Sequence, residues 1–149
     1  MRVGWFVVAA GASAMDCRNE LCQAVGDPTF VLGVGEDELT LVNGDIPLLQ
    51  GAQGGIHVPL AMRITGLDGR ELLVAEIEGR IADEPVAASQ PWLNTRCGDL
   101  GLEATNVLLI FDADPSMIDG QAVVIDAVVR DIDQREVSAS IAGTLRYGG

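Results

Sequence analysis

The chain contains no lysine: all nine of its basic residues are arginine, set against 22 acidic ones, for a net charge of −13 over 149 residues. A polyanion needs a cationic patch to land on, so this balance argues against nucleic acid, and against an anionic bilayer surface, as partners. The missing lysine also removes the phosphate loop G-x-x-x-x-G-K-[ST]. Histidine is reduced to His57. A zinc site would therefore have to recruit cysteines or carboxylates, and Cys17, Cys22 and Cys97 show no C-x-x-C spacing. The nucleophile elbow G-x-S-x-G is absent, which leaves no recognisable Ser-His-acid set. Aromatics are few, with three Phe, two Trp and one Tyr. A sugar-stacking platform is weakly supported, and the core must rest on Val, Leu, Ile and Ala. No apolar run reaches the roughly 20 residues of a spanning helix, so no transmembrane segment is expected in the mature chain.

What is present begins with an N-terminus of export type. Arg2 precedes the apolar run Val3–Ala10, and Ala12-Ser13-Ala14 supplies a small-x-small cleavage pattern, so residues 1–14 read as a signal peptide. The alternative makes Trp5–Val8 the first strand of a cytoplasmic domain. A lipid anchor on Cys17 is a further alternative, although Asp16 stands where lipid-attachment signals carry a small residue. Export leaves an odd number of cysteines in an oxidising compartment. Cys22–Cys97 would tie an N-terminal arm, residues 15–27, to the domain at 28–149; Cys17–Cys22 is the local alternative.

Apolar content of 48% supports a real core, and the patterning is that of strands. Short strands are expected at Thr29–Val34 and Glu38–Val42, closed by the turn Asn43-Gly44. From Ile56 the residues Ile56, Val58, Leu60, Met62 and Ile64 alternate with His57, Pro59, Ala61, Arg63 and Thr65, the signature of a half-buried strand. With Glu71–Ile81 this predicts a hairpin over 56–81. Residues 82–103 read as a long crossing connection with at most a short edge strand. Asn106–Phe111 reads as a central buried strand, and 121–130 with 136–147 as a second hairpin around Asp131-Ile132-Asp133-Gln134. The expected fold is all-β, an antiparallel sandwich of about seven strands.

The closing stretch IDGQAVVIDAVVRDIDQREVSASIAGTLRY and the strand order resemble immunoglobulin-like or fibronectin-III-like domains of bacterial exported proteins. More narrowly, CQAVGDPTFVLGVGE followed by GAQGGIHVPLAMRITGLDG resembles small uncharacterised bacterial secreted or lipid-anchored proteins that share a G-x-Q-G-G-x-H turn, matched by Gly51, Gln53, Gly54, Gly55 and His57. The resemblance covers most of the chain after Cys22 and implies a fold, not an activity. The Cys-Trp-Cys signature of antibody domains is missing, since Trp92 lies five residues from Cys97.

Three features are candidate sites. The first is the glycine turn with Gln53, Gly54, Gly55, His57 and Pro59, read as a partner-contacting corner. Pro59 lacks an N–H, which predicts a sheet edge or bulge there. The second is a pair of acidic loops, Asp112, Asp114 and Asp119 in one and Asp131 and Asp133 in the other, where calcium is the only cofactor to consider. Those loops are expected at opposite ends of the molecule. A transition metal on His57 is the third. No catalytic set emerges. The expectation is an exported non-enzymatic binding or structural module whose partner is a protein or other envelope component, with a metal-binding domain as the alternative.

Overall fold

The computed structural model describes residues 19–148; the signal sequence expected at 1–14 and the lipidation candidate Cys17 lie outside the described residues. A 3-10 turn at Glu20–Cys22 leads into ten strands: β1 Thr29–Val34, β2 Asp45–Gln50, β3 Ile56–Thr65, β4 Leu73–Ile81, β5 Glu84–Ser89, β6 Trp92–Leu93, β7 Arg96–Gly98, β8 Gly101–Phe111, β9 Ala122–Arg130 and β10 Glu136–Gly148. A single-turn helix, α1 at Pro115–Ile118, sits between β8 and β9.

The strands pair in one continuous order, β5-β4-β9-β10-β2-β3-β8-β7 with β1 beside β3 and β6 beside β4, which β2 divides into two sheets, β1-β3-β8-β7 and β5-β4-β9-β10. This is the A-B-E-D and C-F-G order of an immunoglobulin-like sandwich, with β5 added beside the C position. Facing positions confirm the layering. A Cβ built on Gly79 of β4 would lie 3.2 Å from Leu109 Cδ2 and 3.5 Å from the Phe111 ring, both on β8 of the other sheet. Alternation supplies the core: Ile56, Val58, Leu60, Met62 and Ile64 from β3 are buried against Val123, Ile125, Ala127 and Val129 from β9 and Leu73, Ala75 and Ile77 from β4.

The architecture departs from the expected one at definite places. There are ten strands rather than about seven, and the sheet is mixed, because β2 runs parallel to β10 with Leu48 opposite Tyr147. β2 also pairs with β3 through Leu49–His57 and Gln50–Ile56, so the first strand position is split between two sheets. The strand expected at 38–42 shrinks to one bridge, Val34–Thr40. Residues 56–81 are not a hairpin: β3 and β4 lie in different sheets, and the turn 66–72 crosses between them. The 82–103 connection contains β5, β6 and β7. β8 is not buried on both faces, since Leu108 and Ile110 point outward and are exposed while Val107, Leu109 and Phe111 point in. The final hairpin, β9 with β10, forms as expected.

The edge expected at Pro59 is also corrected. Pro59 is buried in the middle of a strand paired on both sides. Its carbonyl accepts the Gly35 N–H at 2.9 Å, and a strand residue's N and O face the same side, so the absent donor faces the β1/β2 side. There the pairing with β2 covers only Ile56 and His57, and β1, running antiparallel, ends with Val34 opposite Leu60. The proline faces Gly35, whose carbonyl is taken by the Asn106 N–H at 3.0 Å, so the missing N–H costs no ladder bond.

Among the described residues, β10 has no strand partner over 136–143 on the side away from β9, because β2 pairs only with 144–148.

Candidate functional site

The corner at Gly51–His57 is built by its own backbone. Gly51 N–H donates to Gly55 O at 2.7 Å and Gly54 N–H to Gly51 O at 2.9 Å, and Gly54 adopts φ +87°, a left-handed conformation that favours glycine. This reversal joins β2 to β3, so the turn is also the point where the two sheets are linked. His57 is half-buried on the outer face of β3, opposite Ile110 of β8. A Cβ on Gly51 would stand 3.6 Å from the imidazole Nδ1, an ordinary packing distance, so the ring lies directly against the turn. The turn, His57, Leu108 and Ile110 enclose a shallow hollow of about 250 Å³.

The rest of this end is braced by hydrogen bonds. The Tyr147 hydroxyl bonds Gln50 Oε1 at 2.8 Å, and the Tyr147 N–H donates to Asp119 Oδ1 at 2.9 Å. Since Ile56 stands opposite Phe111, the loop carrying Asp112, Asp114 and Asp119 rises at the same end as Gln53, Gly54, Gly55 and His57. Asp114 caps α1: its Oδ1 accepts from the Ser116 hydroxyl at 2.6 Å and the Ser116 N–H at 2.9 Å. Those two bonds, the hydroxyl first, hold its carboxyl below the usual range. Asp112 is exposed.

Asp131 and Asp133 sit at the far end of β9, in the loop to β10. Asp131 is buried, and its carboxylate is occupied by backbone donors: Asp133 N at 3.0 Å, Arg135 N at 2.9 Å and, across to the 66–72 turn, Asp68 N at 3.1 Å. Asp68 is itself buried and receives the Arg70 guanidinium through Nε at 2.9 Å and Nη2 at 2.6 Å. These two aspartates lock two loops together, a role that sequence reasoning did not anticipate. Its only local signal is the D-x-D-x-R spacing of an aspartate folding back on its own turn. Among the described residues no group of three or more His, Cys, Asp or Glu is arranged to hold a metal ion.

A wider hollow, about 550 Å³, lies over the outer face of β4, β5 and β9 and contains Glu76, Glu78 and Asp126. Its acids are answered by Arg130, 2.8 Å from Glu76, and by Arg80, which pairs with Asp126 and lies 3.6 Å from Glu78. Arg130 is held above its usual range, by Glu76 first and Glu136 next. This is a charge ladder across the sheet rather than a set of acids aimed at one reacting atom.

Cys22 and Cys97 form a disulfide, with Cα atoms 5.8 Å apart, joining the 3-10 turn to β7.

Comparison with solved structures places two chains alongside this geometry. The CooA pilin subunit from enterotoxigenic Escherichia coli is 12% identical over 79% of this chain and 99% of its own, with a TM-score of 0.40. Murine CRIg is 11% identical over 83% of this chain and 100% of its own, with a TM-score of 0.38. Likenesses this distant carry no functional argument. No family model matches the chain, and no curated protein does. No helix among the described residues is long and apolar enough to cross a membrane.

Proposed function

We propose that the protein is an exported, non-enzymatic binding or structural module of the bacterial cell envelope. The Cys22–Cys97 disulfide carries the reading. Such bonds persist in oxidising compartments, and this one closes a sequence separation of 75 residues to anchor the segment that follows the export-type N-terminus. The arrangement of polar groups is consistent with it: Asp114 and Asp131 hold turns, Glu76 pairs with Arg130, and His57 lies beside the apolar Leu108 and Ile110. The contact surface in this reading is the Gly51–His57 corner with Leu108 and Ile110, an apolar hollow on a fixed backbone.

Intact-mass analysis of the protein from the envelope fraction tests the compartment. The expected result is loss of about 14 residues, as the Ala12-Ser13-Ala14 pattern requires, with Cys22 and Cys97 oxidised. An unprocessed Met1, or free thiols at both cysteines, overturns export. Added acyl mass on Cys17 would place the module on a lipid anchor. For the corner, His57→Ala and Ile110→Ser should reduce capture of an envelope component that the wild-type protein retains, with melting temperature unchanged; intact capture by both variants removes the corner from the binding surface.

A further inference from the structure

At the end of the sandwich opposite the glycine corner, three large apolar side chains from three separate segments stand in solvent around one hollow. Leu72 is 55% exposed, Trp92 67% and Ile132 60%. Together with Val74 at the floor they line a depression of about 330 Å³. Scattered single apolar residues on a surface are ordinary, but three converging on one concavity mark a contact site.

The frame beneath is rigid. Trp92 lies on β6, in register with Val74 of β4, and the Ala75 N–H donates to Pro91 O at 3.0 Å. Leu72 follows the turn held by the Asp68–Arg70 pair, and Ile132 directly follows Asp131, whose carboxylate ties that loop to the Asp68 backbone. Two buried carboxylates thus fix the loops that carry two of the three apolar groups.

The rim is acidic. Glu71 lines the hollow, and Asp133 follows Ile132. Both lie close enough to Arg70 to add to the rise that Asp68 causes in its proton affinity. Arg70 is engaged by the buried Asp68, which leaves Glu71 and Asp133 to set the sign of the rim.

We propose that this hollow is a docking site for a polypeptide segment carrying a bulky apolar residue flanked by arginine or lysine. The apolar residue would sit among Leu72, Trp92 and Ile132, and its basic neighbours would face Glu71 and Asp133. Charge complementarity favours this occupant over a second copy. Two chains of net charge −13 meeting at acidic rims repel each other, and three side chains fall short of the roughly 1,200 Å² that a stable interface buries. The site is distinct from the Gly51–His57 corner and does not depend on the compartment, which the mass measurement reads separately.

The test uses the full chain, ¹⁵N-labelled, titrated with three short synthetic Gly/Ser peptides: a central Phe flanked by Arg, the same Phe flanked by Glu, and a central Ser flanked by Arg. The Trp92 indole resonance is assigned by its loss in Trp92→Phe. The expected result is that the Arg-flanked Phe peptide shifts the Trp92 indole and the Leu72 and Ile132 amides, binds about tenfold more tightly than either control at low salt, and loses that margin over the Glu-flanked peptide at high salt. Leu72→Ser and Ile132→Ser, both at exposed positions, should weaken binding by about tenfold with an unchanged melting temperature. Glu71→Lys with Asp133→Lys should reverse the preference toward the Glu-flanked peptide. No indole shift at about millimolar peptide, binding that survives Ile132→Ser, or a preference unmoved by the charge reversal overturns the proposal. So does a self-association, seen by sedimentation, that Leu72→Ser abolishes.

Discussion

Asp131 shows how much one carboxylate does when it is buried with its acceptors filled. It takes three backbone N–H bonds that hold both its own loop and the 66–72 turn. Asp131→Ala should cost about 2–4 kcal/mol by urea unfolding, because it strands backbone donors in a dry site. The same filling speaks to calcium: with its oxygens already occupied, Asp131 offers an ion little, and the other acidic loop lies at the opposite end of β9. Millimolar calcium is expected to leave the melting temperature unchanged, and a rise that grows with calcium concentration would contradict that. Asp114 makes the complementary pH case. Its folded carboxyl is depressed by Ser116, so its contribution to the α1 turn is present above the usual value of 3.8 and lost as pH falls through the lower, folded value. Chemical-shift titration of Ser116 should follow that lower midpoint, and Asp114→Asn should abolish the dependence. Gly35 is the backbone counterpart: at φ +153° a Cβ would fall 1.7 Å from Glu38 O, so Gly35→Ala should destabilise by at least about 2 kcal/mol.

Elements differ in how far their own residues announce them. The alternations in β3, β9 and β10 are legible because one face of each strand is more covered than the other, which period two reports, although Pro59 and Ala61 of β3 are covered as well and the inner face of β10 is mostly half-buried. Alternation says which side faces the core but not which strand lies alongside, and that is why 56–81 reads as a hairpin although its halves belong to different sheets. β2 is hidden for a related reason: six residues with Pro47 among them become a strand mainly through a parallel partner about 100 positions away, with Leu49 and Gln50 alone also paired to β3. The glycine corner could be read from its composition. The burial of Pro59 could not, since it depends on the excursion over residues 35–44 returning a backbone N–H to its carbonyl. Nor could the grouping of Leu72, Trp92 and Ile132, each unremarkable in its own loop. The disulfide belongs to this scale as well, because it fastens one short element to another. Cys97→Ala should lower stability by about 2–4 kcal/mol, measured by urea unfolding against the oxidised protein, with the loss appearing on addition of reductant to the wild type.

At the scale of the whole molecule, 22 acids against nine arginines leave a surplus of charge that no internal pairing removes. Compaction brings these like charges together, so raising salt from low to physiological strength should raise the melting temperature, as calorimetry would show. The same surplus has a second use at the unpartnered stretch of β10, residues 136–143. Successive Ser138, Ser140 and Ala142 give that margin small side chains and no lysine or proline to obstruct another backbone. The net charge of −13 opposes two molecules zipping along it. Near the isoelectric point of about 4.1 that repulsion falls away, so light scattering at that pH should show self-association that raising the pH reverses.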